Sequence, residues 1–466
     1  MWQCPRDHGC VTVKQNGVGS NRKSLSVTES SEISFFPQEQ SDNTMASPST
    51  SLAKANSTFF LALFKKLSDE DKTKNIFYSP LSISSALAMV LLGARGSTAA
   101  QMSEVMGFSG GDQPKESGEQ SMEQEQMQMR MPLPKHLQSR GLQTAAFDDD
   151  IHAKFGRLLS ELNKPDASYA LSVANRLYGE KSFQFVTEFL ADVKKYYSAE
   201  LEAVDFRTKA EEARVNINTW VEENTQGKIK DLLIKGSLSD MTKLVLVNAI
   251  YFKGKWNKPF EKDMTVDYLF RMNKTDTKPV KMMQLKSKFS YSTIPEVNSK
   301  VLEMPYEKSD LSMIIFLPDD IEDNTTGLEK LEKELTHQNF VNWTRPDRMF
   351  KGEVEVKLPR FKMTETYSMK DILKQMGMSD VFTSSSDFSG MTPSKGLLLS
   401  KVVHKSFVDV NEEGTEAAAS TGIVMELTSI NLMTPTFIAD HPFLFFIKHN
   451  ATKTVLFAGR YCSPPE

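Results

Sequence analysis

The run from Glu412 to Thr436, EEGTEAAASTGIVMELTSINLMTPT, constrains this chain more than any other stretch. Its first part, Gly414-Thr415-Glu416-Ala417-Ala418-Ala419-Ser420-Thr421, has almost no side-chain bulk. In an extended backbone alternate side chains share a face. Thr415, Ala417, Ala419 and Thr421 then lie on one side, with Glu416, Ala418 and Ser420 on the other. Every residue of the first face is small enough to enter a packed sheet without overpacking it. Gly414 supplies a hinge, because no side chain restricts its backbone. Alanine and glycine are poor strand formers, so nothing local commits the segment to a sheet. A segment that can join a sheet, without being obliged to, reads as a switch. The second part, Gly422 to Asn431, is uncharged apart from Glu426 and suits the cleft of a protease.

Composition bounds the rest. With 466 residues, 39% hydrophobic and 25% charged, the chain describes a soluble globular protein. A net charge of -4 gives no reason to expect nucleic acid or anionic lipid as a partner of the whole surface. No apolar run approaches the length of a membrane-spanning helix. The N-terminus, MWQCPRDHGCVTVKQ, lacks the apolar core of a signal peptide. Three cysteines, Cys4, Cys10 and Cys462, make no disulfide framework and fit a reducing compartment. The expected location is the cytoplasm, where the sequons at Asn56, Asn273, Asn324, Asn342 and Asn450 stay unmodified.

The run VNEEGTEAAAST (410–421), followed by ADHPFLFFIKHN (439–450), resembles the hinge and C-terminal strands of serpins. The likeness is strongest to the intracellular, ovalbumin-like branch, and within it to the leukocyte elastase inhibitors. It covers Met45 to Pro464 and fails only in an internal insertion and the N-terminal extension. The resemblance implies a mixed α/β serpin fold. A large central sheet, smaller sheets forming a β-barrel-like set of strands, about nine helices and an exposed reactive-centre loop at 412–436 belong to it. It also implies a monomeric suicide inhibitor of a serine protease that needs no cofactor and is no enzyme.

Taken in order, residues 1–44 are polar and aperiodic, and the expectation is a disordered extension. Met45 begins a polar lead into an amphipathic helix, the start of a serpin domain over 45–466. Ser79-Pro80 fits a helix start, with Ser79 as cap and Pro80 in the first turn, and Ile83–Leu92 is apolar on nearly all sides, as in a buried helix. From Gly107 to about Ala146, Gln, Glu, Met, Gly and Pro dominate, and the expectation is a flexible insertion between helices. Helices are expected over 148–162, 186–197 and 210–224, and strands over 168–178 and 244–253. The last of these is apolar enough to be buried on both faces, with Asn248 in its middle in need of partners. Further elements are expected at 301–305, 311–317, 328–340, 353–361, 368–376 and 397–411. In the last, Ser400, Val402, His404, Ser406 and Val408 share a face. Two apolar strands, 441–449 and 454–460, close the chain.

Catalysis finds no support in the pattern. The Gly-X-Ser-X-Gly match at 107–111 follows a helix and opens the insertion, whereas a nucleophile elbow needs a strand before it and a helix after it. No HExxH helix or phosphate-binding glycine loop occurs. Cys4, His8 and Cys10 have too few companions for a metal site. Lys135, His136 and Arg140 read as a solvated loop. His404 reads as a hydrogen-bonded core histidine, and the resemblance gives it a use. Ser79, Ser82, Asn248 and His404 match the serpin network behind the place where the main sheet opens, and Trp256 matches the aromatic at the top of that sheet.

Within the loop the resemblance takes Glu412 to Thr421 as the hinge. Counting fourteen residues on from Gly414 places the scissile bond between Thr428 and Ser429. Counting back from His441-Pro442-Phe443 favours Ser429 as the residue before the cut, and Leu427 is the bulkier bait. No Lys or Arg lies between Gly414 and His441, which excludes trypsin-like targets and leaves elastase-like or chymotrypsin-like ones. The alternatives left open are a non-inhibitory chaperone or carrier, a cross-class inhibitor of cysteine proteases, and a nucleic-acid partner acting through the insertion.

Overall fold

The computed structural model describes residues 48–108, 140–415 and 434–464, with backbone alone at 48–51 and 140–150. These residues fall within one compact unit, Ala46–Glu466. The N-terminal extension, most of the insertion, residues 416–421 of the hinge and Leu427, Thr428 and Ser429 lie outside them.

In chain order the elements begin with α1 (Pro48–Glu70), β1 (Ile76–Tyr78), α2 (Pro80–Gly93) and α3 (Gly96–Val105). After the insertion come α4 (Arg140–Leu162), β2 (Tyr169–Glu180), α5 (Thr187–Tyr197), β3 (Leu201–Val204), α6 (Phe206–Asn224) and β4 (Leu244–Lys255). Next are β5 (Val266–Arg271), β6 (Thr277–Ile294), β7 (Ser299–Pro305), β8 (Leu311–Pro318), α7 (Glu329–Glu334) and α8 (His337–Trp343). The chain continues through β9 (Phe350–Pro359), β10 (Phe361–Ser368), α9 (Met369–Gln375), β11 (Leu399–Asn411) and β12 (Gly414–Thr415). It closes with β13 (Thr436–Ile438), β14 (Phe443–His449) and β15 (Val455–Tyr461).

A six-stranded sheet runs β10-β11-β12-β4-β2-β3, and a second, nine-stranded one runs β1-β15-β14-β8-β7-β6-β9-β13 with β5 on β6. By strand count the central sheet is therefore the smaller. The reason is β6, which pairs with β5 over 277–282, with β9 over 282–291 and with β7 over 290–294. One long strand thus joins what would otherwise be two separate small sheets. Between the two sheets lies the main core, built from Leu246, Ile250 and Phe252 of the first, Phe445 and Phe457 of the second, and α2. Ser79 caps α2, accepting from Ser82 N–H at 3.1 Å, with Pro80 in the first turn, as the Ser-Pro pair predicts. A smaller core lies under α6, on the opposite face of β4.

Several expected boundaries move, among them the start of α6 from 210 to Phe206, and three of the shifts change the layout. The span 328–340 divides into α7 and α8, because Thr336 starts a new helix by accepting from Asn339 N–H at 3.1 Å. The span 353–361 crosses Pro359-Arg360 from one sheet into the other. Helix α4 starts at Arg140 rather than 148, so its Ala- and Leu-containing first turns shorten the insertion from its far end.

Candidate functional site: a seam in the six-stranded sheet

Strands β11 and β4 are the two long parallel neighbours of this sheet. They pair from Leu399 opposite Leu244 to Phe407 opposite Tyr251. Beyond that point they part, and Gly414 and Thr415 sit between them as β12, antiparallel to both. Thr415 lies between Val410 and Gly254, and Gly414 between Asn411 and Lys255. The hinge has entered the sheet by two residues and wedges its upper end.

Each contact of this wedge has an identifiable cause. Gly414 adopts φ +146°, and a Cβ there would stand 2.1 Å from Gly254 O and 2.6 Å from Lys255 Cα. No other residue fits. Thr415 is fully buried, and its Oγ1 meets the Tyr306 hydroxyl at 3.0 Å. Tyr306 is itself buried, stacked on Trp256 at 4.6 Å and edge-on to Phe252 at 5.2 Å. Burial holds its hydroxyl well above the usual tyrosine range, so it stays neutral and can donate or accept. Trp256 follows β4 directly, beside the parted end of the seam. Its Nε1 donates to Asn411 O at 3.0 Å and its backbone N–H to Glu413 O at 2.9 Å. The acidic pair that opens the expected hinge is anchored. Glu412, almost buried, accepts from Thr265 Oγ1 at 2.8 Å and lies 3.6 Å from Arg360. Glu413 pairs with Lys262 at 2.7 Å.

Below the wedge, the closed part of the seam is backed by a polar network on the core side. His404 of β11 stands opposite Asn248 of β4 and is fully buried. Its Nε2 accepts from Ser79 N–H at 3.1 Å, which places the ring proton on Nδ1, donating to Asn248 Oδ1. Asn248 Nδ2 turns to Ser82 Oγ at 2.5 Å and Ser82 O at 3.1 Å, and also to Asn175 Oδ1. Ser79 Oγ donates to Leu456 O at 2.6 Å. Burial lowers the His404 pKa to about 3, and the Ser79 N–H facing Nε2 leaves no place for a second proton. The four residues expected to form a network are thus joined. Of the shared face proposed for β11, Ser400 departs: a register shift between Leu399 and Lys401 turns it part-exposed, and its Oγ accepts from Lys243 N–H.

Sequence reasoning missed Tyr306, Asn175 and Tyr367. Tyr367 stacks parallel to His404 and accepts from Phe77 N–H at 3.2 Å. Tyr306 follows β7, Asn175 lies on β2 and Tyr367 on β10, and none carries a local signal for the contact it makes. Glu365, two residues before Tyr367, lies opposite Ser406, and burial raises its pKa to about 7. Among the described residues no cluster of three His, Cys, Asp or Glu could hold a metal, and no helix is long and apolar enough to cross a membrane. Cys4, His8, Cys10, Ser109, Lys135 and His136 lie outside the described residues, as does the Arg140 side chain.

Comparison with known proteins agrees with this geometry. Residues 54–464 match the sequence profile of the serpins, described as serine protease inhibitors. Leukocyte elastase inhibitor of Equus caballus is 48% identical over 89% of this chain and 99% of its own length. The Homo sapiens protein of that name is 46% identical over the same shares. Uncleaved ovalbumin superposes with a TM-score of 0.74 at 34% identity, covering 89% of this chain and all of ovalbumin. A chain matched over nearly its whole folded part, with its hinge seated in a parted sheet, belongs to the serpin family.

Proposed function

We propose that this protein inhibits serine proteases of the elastase-like or chymotrypsin-like kind by trapping them as an acyl-enzyme. The observation that carries the reading is the two-residue strand Gly414–Thr415 already seated between β11 and β4. The protease serine attacks the carbonyl of the bait bond, the peptide C–N bond breaks, and the amine end leaves with a proton. Ordinary hydrolysis would follow unless the new end of the loop moves first. Continuing the register beyond Thr415 brings Ala417 between Val408 and Phe252, and Ala419 between Ser406 and Ile250. Thr421 then arrives between His404 and Asn248. Insertion therefore proceeds over small side chains until it breaks the His404–Asn248 hydrogen bond, and the Thr421 hydroxyl arrives there to replace it. Breaking a buried pair without replacement costs about 1–3 kcal/mol, so the network resists spontaneous opening and tolerates the inserted strand. Strain released on insertion supplies the work of distorting the protease.

The bait bond is assigned to Thr428–Ser429, with Leu427 as alternative. The absence of Lys and Arg from the loop supports a small or apolar specificity pocket in the target. The acting form is a cytoplasmic monomer. The names borne by its relatives support elastase as first target. The test is to mix the protein with pancreatic elastase and separately with chymotrypsin, then run denaturing gels. A band at the summed mass that survives denaturant is expected, with a released peptide whose mass fixes the bond. Cleavage by both proteases, with no such band, speaks against trapping and for a carrier or chaperone.

A further inference from the structure

The sequon Asn56-Ser57-Thr58 lies on α1 in a place where no glycan fits. Asn56 is 2% exposed. Its Nδ2 donates to Val455 O of β15 at 3.1 Å, and its Oδ1 accepts from Ser84 Oγ of α2 at 3.1 Å. Ser57 is buried beside it, and Phe59 and Phe60 next along the helix are fully buried. N-glycosylation joins Nδ2 to the anomeric carbon of a sugar, breaks that carbon's bond to the phosphate of a lipid-diphosphate donor, and releases one amide proton. The first sugar alone is larger than most side chains. In an interior packed as densely as this, even one extra methylene or two costs about 1–3 kcal/mol. The folded molecule cannot hold the sugar at Asn56.

The order of synthesis makes the conflict unavoidable. Val455 follows Asn56 by 399 residues. At ~5–20 residues per second the chain needs about 20–80 s to supply that partner. Throughout that time Asn56 is open to a transferase that acts on unfolded chain, and a sequon ordinarily marks a surface loop of a secreted protein. We propose that N-glycosylation at Asn56 and the native fold are mutually exclusive, so that the chain reaches its active state only in a compartment without lipid-linked oligosaccharide transfer. This deepens the cytoplasmic assignment above and is independent of the inhibitor reading, since neither folding nor glycan mapping needs a protease.

Two residues provide the controls. Asn324, whose side chain is exposed, begins the sequon Asn324-Thr325-Thr326 in the loop after β8. Thr58 is exposed, bonding only back to Lys54 O at 3.0 Å, so Thr58→Ala removes the sequon without touching the Asn56 side chain. Made in bacteria, Thr58→Ala is expected to melt as the parent does. The full chain and its Thr58→Ala variant are then directed into the secretory pathway of cultured cells by an added cleavable signal peptide. Molecules carrying a glycan at Asn324, and so known to have reached the lumen, are mapped by mass after enzymatic release. The expected result is that the parent carries a glycan at Asn56 and is retained as aggregate, while Thr58→Ala is secreted as a folded monomer. A secreted, folded pool bearing the Asn56 glycan overturns the proposal. So does a parent secreted as well as Thr58→Ala, or a Thr58→Ala variant retained as fully as the parent. Localising the untagged native protein tests the compartment separately.

Discussion

At the scale of single residues, two groups give measurable signatures, His404 in the seam and Glu365 on the neighbouring strand β10. His404 titrates near 6.5 when unfolded and at about 3 when folded. Above pH 6.5 the imidazole is neutral in both states and contributes no pH dependence. Below it the unfolded chain takes up a proton that the native state refuses, so stability falls by up to ~1.4 kcal/mol per pH unit. Glu365 runs the other way: its carboxyl, raised to about 7, costs stability as pH rises from its unfolded value near 4.5. The two oppose each other between pH 4.5 and 6.5, and a variant is needed to separate them. Replacing His404 by Gln, which keeps an acceptor and a donor, is expected to flatten the loss of melting temperature between pH 6.5 and 4. An unchanged acid limb would mean that the His404 proton is not excluded by the fold.

Tyr306 and Thr415 form the other residue-scale pair. Tyr306→Phe keeps the stack on Trp256 and deletes only the hydroxyl, and Thr415→Val deletes its partner. Each is expected to raise the fraction of loop cleaved without trapping, because a hinge seated less firmly inserts more slowly than the acyl bond hydrolyses. The double variant should be little worse than either single one, with a coupling of about 1 kcal/mol. Strictly additive effects would show that the two hydroxyls do not act on each other.

At the scale of elements, the entry of Gly414 and Thr415 into a sheet was legible in the sequence. Its small alternate residues and Gly414 predicted a segment that could enter a sheet, and β12 shows its first two residues inside one. The Ser79-Pro80 cap and the buried His404 were legible for similar reasons, since each depends on its own neighbours in the chain. Tyr306 was not, because it meets Thr415 from 109 residues away. The split of α7 from α8 was readable in principle from the Thr336 cap, but the apolar spacing on either side hid it. The exchange of partners along β6 was not readable, because it depends on which strands flank each end.

The hinge carries its own prediction. Any side chain at residue 414 collides with the backbone of β4 and forces a left-handed φ on a residue that avoids it. Gly414→Val should therefore expel the hinge, at about 1–3 kcal/mol or more. Thr421→Arg should leave the native fold intact and stop insertion at the level of His404 and Asn248. Gel assays would show normal cleavage and no covalent band for Thr421→Arg. Full trapping by that variant would mean the strand does not follow the register set by Gly414 and Thr415.

At the scale of the whole molecule, the six-stranded sheet is an incomplete object. Two long parallel strands meet along a seam, part at one end, and hold a guest two residues deep. If the seam is a place for the loop, as proposed, the intact fold is held by a kinetic barrier and not by being the lowest state available. In the proposed mechanism that barrier is made of the His404–Asn248 bond with its ties to Ser79 and Ser82, and of the contacts that hold Glu412 and Glu413 at the foot of the loop. Filling that place should lower the free energy of the molecule far more than any point substitution changes it.

The most direct measurement is thermal. The intact protein is melted beside protein whose loop has been cut once between residues 422 and 433 by a protease that is then removed. Complete insertion adds a long central strand to the sheet, so the account predicts a melting temperature raised by tens of degrees in the cut form. An unchanged or lowered melting temperature would mean that the seam does not accept the loop, and would contradict the central claim.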